Sequence, residues 1–227
     1  TRVHQWEGAQ ASSQLWVVEP TNDGRVKIKS NLAGKLLEGA GLYFRDRGIQ
    51  AVTTVPASRE LHGFFAKQGF FECFTQDEHH WTPELAQKAP ETLPKMKLVN
   101  AAEYGVLREG LLSKLGHIAL PMDALLYQAG CCRIDGGGMY LVGAPAGPAA
   151  LCAEGTGDKT LLVKELIGSP EAVDQIAAVL PQLLPKFGGT YRTLGDSVPF
   201  GMMKWLSPEL DQAWDRDIRA YLGLAFD

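Results

Sequence analysis

The stretch Val52-Thr-Thr-Val-Pro-Ala-Ser58, followed by Leu61-His-Gly-Phe-Phe-Ala-Lys-Gln-Gly-Phe70, sets the reading of the whole chain. Residues 49–55 are rich in β-branched side chains and stop at Pro56, as a buried strand does. Residues 60–67 then read as a short helix, and Phe70-Phe-Glu-Cys-Phe74 as a returning strand. Upstream, Leu32, Leu36, Ala40 and Tyr43 fall on one helical stripe, which Leu37 and Phe44 widen. Ser30 or Asn31 can cap that helix and Gly48 can end it. Before it, Gln14-Leu-Trp-Val-Val-Glu19 reads as a strand and Pro20 to Gly24 as a turn. Arg25-Val-Lys-Ile-Lys29 then reads as a half-exposed strand.

Downstream, residues 75–94 are polar, carry Pro83, Pro90 and Pro94, and hold no sustained period. They read as a linker with one helical turn around Glu84 to Lys88, and His79 and His80 as part of a solvated polar loop. A second unit opens at Lys95. Its expected elements are a strand at residues 97–99 and a helix over 103–115 with Val106, Leu107, Leu111 and Leu115 inward. A helix over 122–128 and paired strands at 139–142 and 149–154 follow. Then come a strand at 160–166, a helix over 171–184, strands at 191–194 and 201–206, a helix over 208–221 and a last strand at 222–226. Strand–helix–strand thus occurs in both halves, a repeat of pattern and hardly of sequence. The expected organisation is one module over 1–74, a linker over 75–94 and a second module over 95–227.

Composition narrows the function classes. The chain has 227 residues, 45% hydrophobic and 21% charged, with a formal net charge of −4. That is globular composition with no concentrated basic face, so nucleic acid is not the expected partner. No apolar run reaches membrane-spanning length and no apolar signal segment follows the first residues, so a cytoplasmic protein without membrane contact is expected. Cys73, Cys131, Cys132 and Cys152 show no Cys-x-x-Cys spacing, which points to free thiols in a reducing compartment rather than to a metal site.

The segment 52–70 resembles the closing motif of the Gcn5-related N-acetyltransferases (GNAT), a strand, a short helix and the phrase F-Y-x-K-x-G-F. Here that phrase reads Phe64-Phe65-Ala66-Lys67-Gln68-Gly69-Phe70. The helix ending Leu42-Tyr-Phe-Arg-Asp-Arg-Gly48 is similar to the one such enzymes place after their cofactor loop. Lys97 to Arg108 is similar to the family's opening strand and first helix, and Lys164-Glu-Leu-Ile-Gly-Ser-Pro170 to its fourth strand. The resemblance implies an α+β fold, a GNAT-like mixed sheet flanked by helices, in two modules. The first module is shortened, completed by other segments, or truncated. It also implies acetyl-CoA or another acyl-CoA as cofactor, in a slot between strands 15–19 and 51–55. The pyrophosphate would sit at a helix N-terminus, where free N–H groups favour anions.

Carried over residue by residue, the cofactor loop falls on Ile28 to Ala33, and the implied binding residues are Lys29, Asn31, Leu32, Ala33, Gly34 and Lys35. Ile28 and Asn31 stand where the family has Arg or Gln and Gly. The usual proton-donating tyrosine falls on Phe65, which has no proton to give. Glu165 matches a strand carboxylate that acts as general base toward an amine. Tyr43 is expected in the core. In the second module the chain runs from Pro170 straight into a helix, with no glycine-rich loop. Two functions follow. One is an acetyl-CoA-dependent N-acyltransferase acting on a small-molecule or peptide amine, with a homodimer compatible with it. The other is a catalytically inactive GNAT-like module that binds a ligand or partner.

Overall fold

The computed structural model describes residues 3–5, 19–20, 26–27, 32–83, 93–134, 136–157 and 159–225. Along the chain these form β1 (Val3–Gln5), β2 (Glu19–Pro20), β3 (Val26–Lys27), α1 (Leu32–Arg45), β4 (Ala51–Thr54), α2 (Arg59–Lys67), β5 (Phe71–Trp81) and β6 (Lys95–Leu98). Then follow α3 (Ala101–Leu112), α4 (Met122–Ile134), β7 (Gly138–Ala144), β8 (Gly147–Gly157), β9 (Thr160–Ile167), α5 (Pro170–Ala177), α6 (Leu180–Leu183), β10 (Gly188–Trp205) and α7 (Pro208–Ala213). The architecture is mixed α+β. Two compact units emerge: residues 1–74 with 199–219 and 227, and residues 75–198 with 220–226. β5 and β10 each run from one unit into the other. The strand of residues 70–74 therefore continues through Trp81, into the segment expected as a linker, and carries His79 and His80 as strand residues.

In the first unit, β4 lies between antiparallel neighbours. Val3 stands opposite Thr54 on one side, and Met202 to Trp205 stand opposite Thr54 to Ala51 on the other. One face of β4 packs Val52 on Phe44, Ile49, Phe65, Phe70, Met202 and Leu206. Both helices end by the same device. After α2, the Phe70 N–H bonds the Phe65 carbonyl at 3.1 Å and the Gly69 N–H bonds that of Ala66 at 3.0 Å, with Gly69 at φ +86°. After α1, the Ile49 N–H bonds the Phe44 carbonyl at 3.1 Å and the Gly48 N–H bonds that of Arg45 at 2.9 Å, with Gly48 at φ +78°. These are paired Schellman closures, each with its hydrophobic contact across the turn. The Phe65 and Phe70 rings meet edge to face at 5.4 Å. The phrase Phe-x-x-x-Gly-Φ, in 44–49 and again in 65–70, is thus a stop signal with a core anchor at each end.

The α1 stripe sits one position from the expected one. Leu37, Ala40 and Phe44 face the core, while Tyr43 is 52% exposed under the Arg47 guanidinium, which lies 3.5 Å from its ring centroid. The expected strand over Gln14 to Glu19 lies, apart from Glu19, outside the described residues. Glu19–Pro20 pairs with Val26–Lys27 in a small sheet of its own, and the described neighbours of β4 are β1 and β10. The expected slot between strands 15–19 and 51–55 therefore finds no support in the described pairings.

In the second unit the strand order is β6-β7-β8-β9-β10, antiparallel as far as β9 and parallel between β9 and β10. β8 alternates cleanly, as a strand with both faces covered must. Ala149, Leu151 and Ala153 pack with α5 and α6 residues such as Ile176 and Leu180, and Ala150 and Cys152 pack against Tyr104, Leu125 and Cys132 of α3 and α4. β9 breaks this parity. Leu161, Val163 and then Leu166 share one face, because an extra residue is inserted near Lys164 and Glu165. Both neighbours register it: Cys152 pairs with Glu165 but Ala153 with Val163, and Tyr191 pairs with Val163 but Thr193 with Leu166. A β-bulge of this kind leaves one residue unpaired and turns successive side chains to the same side.

Several expected elements differ. The helix over 171–184 breaks into α5 and α6, with Pro181 in the first turn of the second. The strands at 191–194 and 201–206 are one long β10. The last helix stops at Ala213, and residues 222–225 are not a strand. In α3, Tyr104, Arg108 and Leu112 are buried while Val106 is 77% exposed, so a charged residue occupies the inward stripe.

Gly69→Ala is expected to lower stability by about 1–2 kcal/mol, because the closure needs a left-handed backbone. Gly39→Ala, in the middle of α1 with open space around it, is expected to raise it by about 0.5–1 kcal/mol. Urea midpoints with unchanged slopes measure both.

Candidate functional site

The bulge in β9 aims two adjacent ionic side chains at the α3–α4 face. Glu165 is fully buried there. Tyr104 donates to its Oε1 at 2.8 Å, Tyr221 donates to its Oε2 at 3.2 Å, and the Arg108 Nε donates to both oxygens at 3.1 and 3.2 Å. Arg108 is equally sealed, with 0% of its side chain exposed, and its remaining donors reach the Ile118 carbonyl at 2.9 Å and the Leu222 carbonyl at 3.2 Å. Burial and the Glu165 charge push both tyrosine hydroxyls well above their ordinary pKa, so both remain protonated donors. Burial pulls the Arg108 pKa down, but the Glu165 charge and hydrogen bond together with Tyr221 and Tyr104 more than offset it and hold it above the usual value.

Lys164 extends the network. Its ammonium donates to the Ala225 carbonyl at 2.8 Å and pairs with Glu154 at 3.0 Å. The segment 221–225 is thereby fastened at several points. The Ile118 N–H bonds the Tyr221 carbonyl, and the Tyr221 N–H bonds the Gly116 carbonyl. Gly223 takes φ +67°, and a Cβ there would run into the Glu165 carboxylate. For the amine-base role expected of Glu165, the geometry shows a carboxylate sealed from solvent. Its acceptor sites are taken by four donor contacts, and it lies in the place of a buried counter-ion. Arg108, Tyr104 and Tyr221 were not singled out from the sequence. The one available signal was the i, i+4 spacing of Tyr104 and Arg108 on a helix whose neighbouring strand carries an ionic pair.

The implied cofactor residues lie at the start of α1. Lys29 and Asn31 lie outside the described residues, and Leu32 opens the helix. Ala33 and Gly34 are half-buried, Lys35 is exposed, and the first turn carries no acidic residue. Gly34 packs under the Gln68 amide: a Cβ there would stand 3.0 Å from its Oε1. The first turn of a helix favours negative charge in general, through its N–H groups and its dipole. α5 offers a different start. The Ser169 Oγ accepts from the Ala172 N–H at 3.2 Å, Pro170 has no N–H, and Glu171 adds a carboxylate. Phe65, 2% exposed, lies in the core with its ring 5.2 Å from that of Phe64. Among the described residues no group of three His, Cys, Asp or Glu side chains is placed to hold a metal ion. No described helix is long and apolar enough to cross a membrane.

Removing one partner of the sealed pair should strand a charge. Arg108→Met and Glu165→Leu are each expected to cost about 3–5 kcal/mol, and the double variant markedly less than their sum. Urea unfolding of the three proteins measures the coupling; additive losses would show that the two side chains do not act together.

No family model matches the sequence, and no curated protein resembles it. Solved structures do. A GCN5-related N-acetyltransferase from Anabaena variabilis superposes with a TM-score of 0.55 at 12% identity, over 78% of this chain and 51% of that one. A conserved protein of unknown function from Enterococcus faecalis, described as a probable N-acyltransferase, gives 0.54 at 10% identity, over 77% and 50%. A GCN5-related N-acetyltransferase from Kribbella flavida gives 0.51 at 14% identity, over 76% and 47%. The chain thus spans about half the length of the structures it matches. At such identities the likeness speaks to architecture, and that architecture is GNAT-like.

Proposed function

We propose that this chain is an acyl-CoA-dependent N-acyltransferase, with acetyl-CoA or a related thioester as donor and an amine on a small molecule or peptide as acceptor. The observation that carries the reading is the start of α1. In a GNAT-like fold, a helix opening on Ala33 and Gly34, free of acid in its first turn, leads into β4, α2 and β5. Lys29, Asn31, Leu32, Ala33, Gly34 and Lys35 would hold the anionic end of the donor, through backbone N–H groups and two ammonium groups. The donor supplies an activated acyl thioester. The chain's part is to bind and orient it and to let backbone N–H groups face the carbonyl. Proton acceptance by Glu165 would require displacing Arg108 and two tyrosines, so the reading does not depend on it. The names of the structural neighbours support it at the level of acyl transfer. A cytoplasmic setting without nucleic-acid or membrane partners belongs to this reading, the absence of a nucleic-acid partner in keeping with the acidic net charge, and a homodimer is compatible with it.

A second reading, a non-catalytic GNAT-like binding module, is favoured by Phe65, which sits in the core at the position of the family's proton donor. Calorimetric titration with CoA and acetyl-CoA, repeated on Ala33→Glu, decides between them. The enzyme reading expects binding that Ala33→Glu weakens about tenfold or more, together with release of free CoA when amines are added. Binding without release in any amine panel supports the second reading. No binding, or binding indifferent to Ala33→Glu, overturns the cofactor assignment.

A further inference from the structure

None of the four cysteines is in a disulfide, and two of them face each other. Cys132 on α4 and Cys152 on β8 are both fully buried, with their Sγ atoms 3.5 Å apart and one thiol donating to the other. Adjacent Cys131 is half-buried and turns another way. The pair is not set in a purely apolar core. The Gln128 Nε2 donates to the Cys132 Sγ at 3.4 Å and to the Glu154 Oε2 at 2.8 Å, and Glu154 in turn meets Lys164. Glu154 keeps 24% of its side chain exposed, so a polar route of two residues connects the Cys132 sulfur with solvent. A structural thiol pair needs no such route. The acyl-transfer reading uses none of these groups.

We propose that Cys132 and Cys152 form a two-electron redox site, closed to an intramolecular disulfide by a peroxide and reopened by a dithiol. Sulfur contact at 3.5 Å leaves only a small approach to the bond, and the partners sit on elements that already pack together. Cys132 reacts first. It accepts hydrogen bonds from Gln128 and Cys152, which favour its thiolate, whereas burial pushes the Cys152 thiol up. The Cys132 sulfur attacks one oxygen of hydrogen peroxide, the O–O bond breaks, and a sulfenic acid and one water result. The Cys152 sulfur then attacks the Cys132 sulfur. The S–O bond breaks, the hydroxide leaves with the Cys152 proton as a second water, and the S–S bond ties α4 to β8. Two thiols are oxidised and one peroxide is reduced to two waters.

The test uses the full chain under native conditions, treated with hydrogen peroxide, quenched by alkylation and mapped by mass spectrometry. The expected product is a Cys132–Cys152 cross-link in a chain that has lost two alkylatable thiols and regains them with dithiothreitol. Its melting temperature is expected to rise by about 5 °C, because closing a loop of this size restricts the unfolded chain. Cys131→Ser is expected to leave the cross-link intact, and Cys152→Ser to abolish it and leave a dead-end sulfenic or sulfinic acid on Cys132. A cross-link that requires Cys131, four thiols surviving treatment, or an oxidised chain that melts no higher than the reduced one each overturns the proposal.

Discussion

One inserted residue in β9 governs the second unit. A regular strand would send Lys164 and Glu165 to opposite faces, one into α5 and the other into α3. The bulge turns both toward α3 and α4, and a buried carboxylate and ammonium on one face must then be neutralised and hydrogen-bonded or the fold pays several kcal/mol for each. Arg108, Tyr104 and Tyr221 answer Glu165, and Glu154 with the Ala225 carbonyl answers Lys164. Three otherwise separate pieces, α3, β9 and the segment 221–225, are drawn together by this requirement. The unusual path of residues 221–225, which is neither helix nor strand, follows from supplying a tyrosine hydroxyl and two carbonyls to these side chains.

The same requirement explains where sequence reading succeeded and failed. Elements set by local chemistry were legible. The phrase ending in Gly69-Phe70 marked a helix stop and a returning strand, and the structure explains it as a Schellman closure whose Phe65 and Phe70 anchor the core. The strands at 149–154 and 160–166 were likewise visible, and lie within β8 and β9. Elements set by tertiary demand were not. Apolar periodicity placed Val106 and Leu115 inward on one helix, yet both are exposed: Tyr104 and Arg108 hold the inward stripe of α3, and α3 ends at Leu112, before Leu115. Treating an arginine as a surface residue is a sound default and fails here because its partner lies 57 residues away in the chain. β5 failed for a related reason: its outer half, with Asp77 and Glu78, looks like linker but is satisfied by Ser197 and Arg192 on β10.

The fold around the candidate site was legible, while the site residues carried over with the resemblance stay a proposal. The GNAT-like architecture was read from residues 52–70 and is what the chain adopts. Glu165 was recognised as a residue that matters, but a strand carboxylate carries no local mark of whether it faces a substrate or an arginine. Its three donor groups, making four contacts, place it among the groups that hold the unit together. The weight of the acyl-transfer reading therefore moves to α1, whose first turn carries no acid and holds half-buried Ala33 and Gly34 and exposed Lys35. α5, with its serine cap, proline and glutamate, is built to satisfy its own N-terminus.

The central claim is that the Glu165 network makes residues 221–225 part of the cooperative core of the second unit. Native-state hydrogen exchange of the Ile118 and Tyr221 amides, whose partners are the Tyr221 and Gly116 carbonyls, tests it most directly. Both amides should exchange with the same opening free energy and the same urea dependence as the β8 and β9 amides of Leu151 and Val163. Exchange at the rate of the exposed residues 215–219, without dependence on urea, would contradict the account.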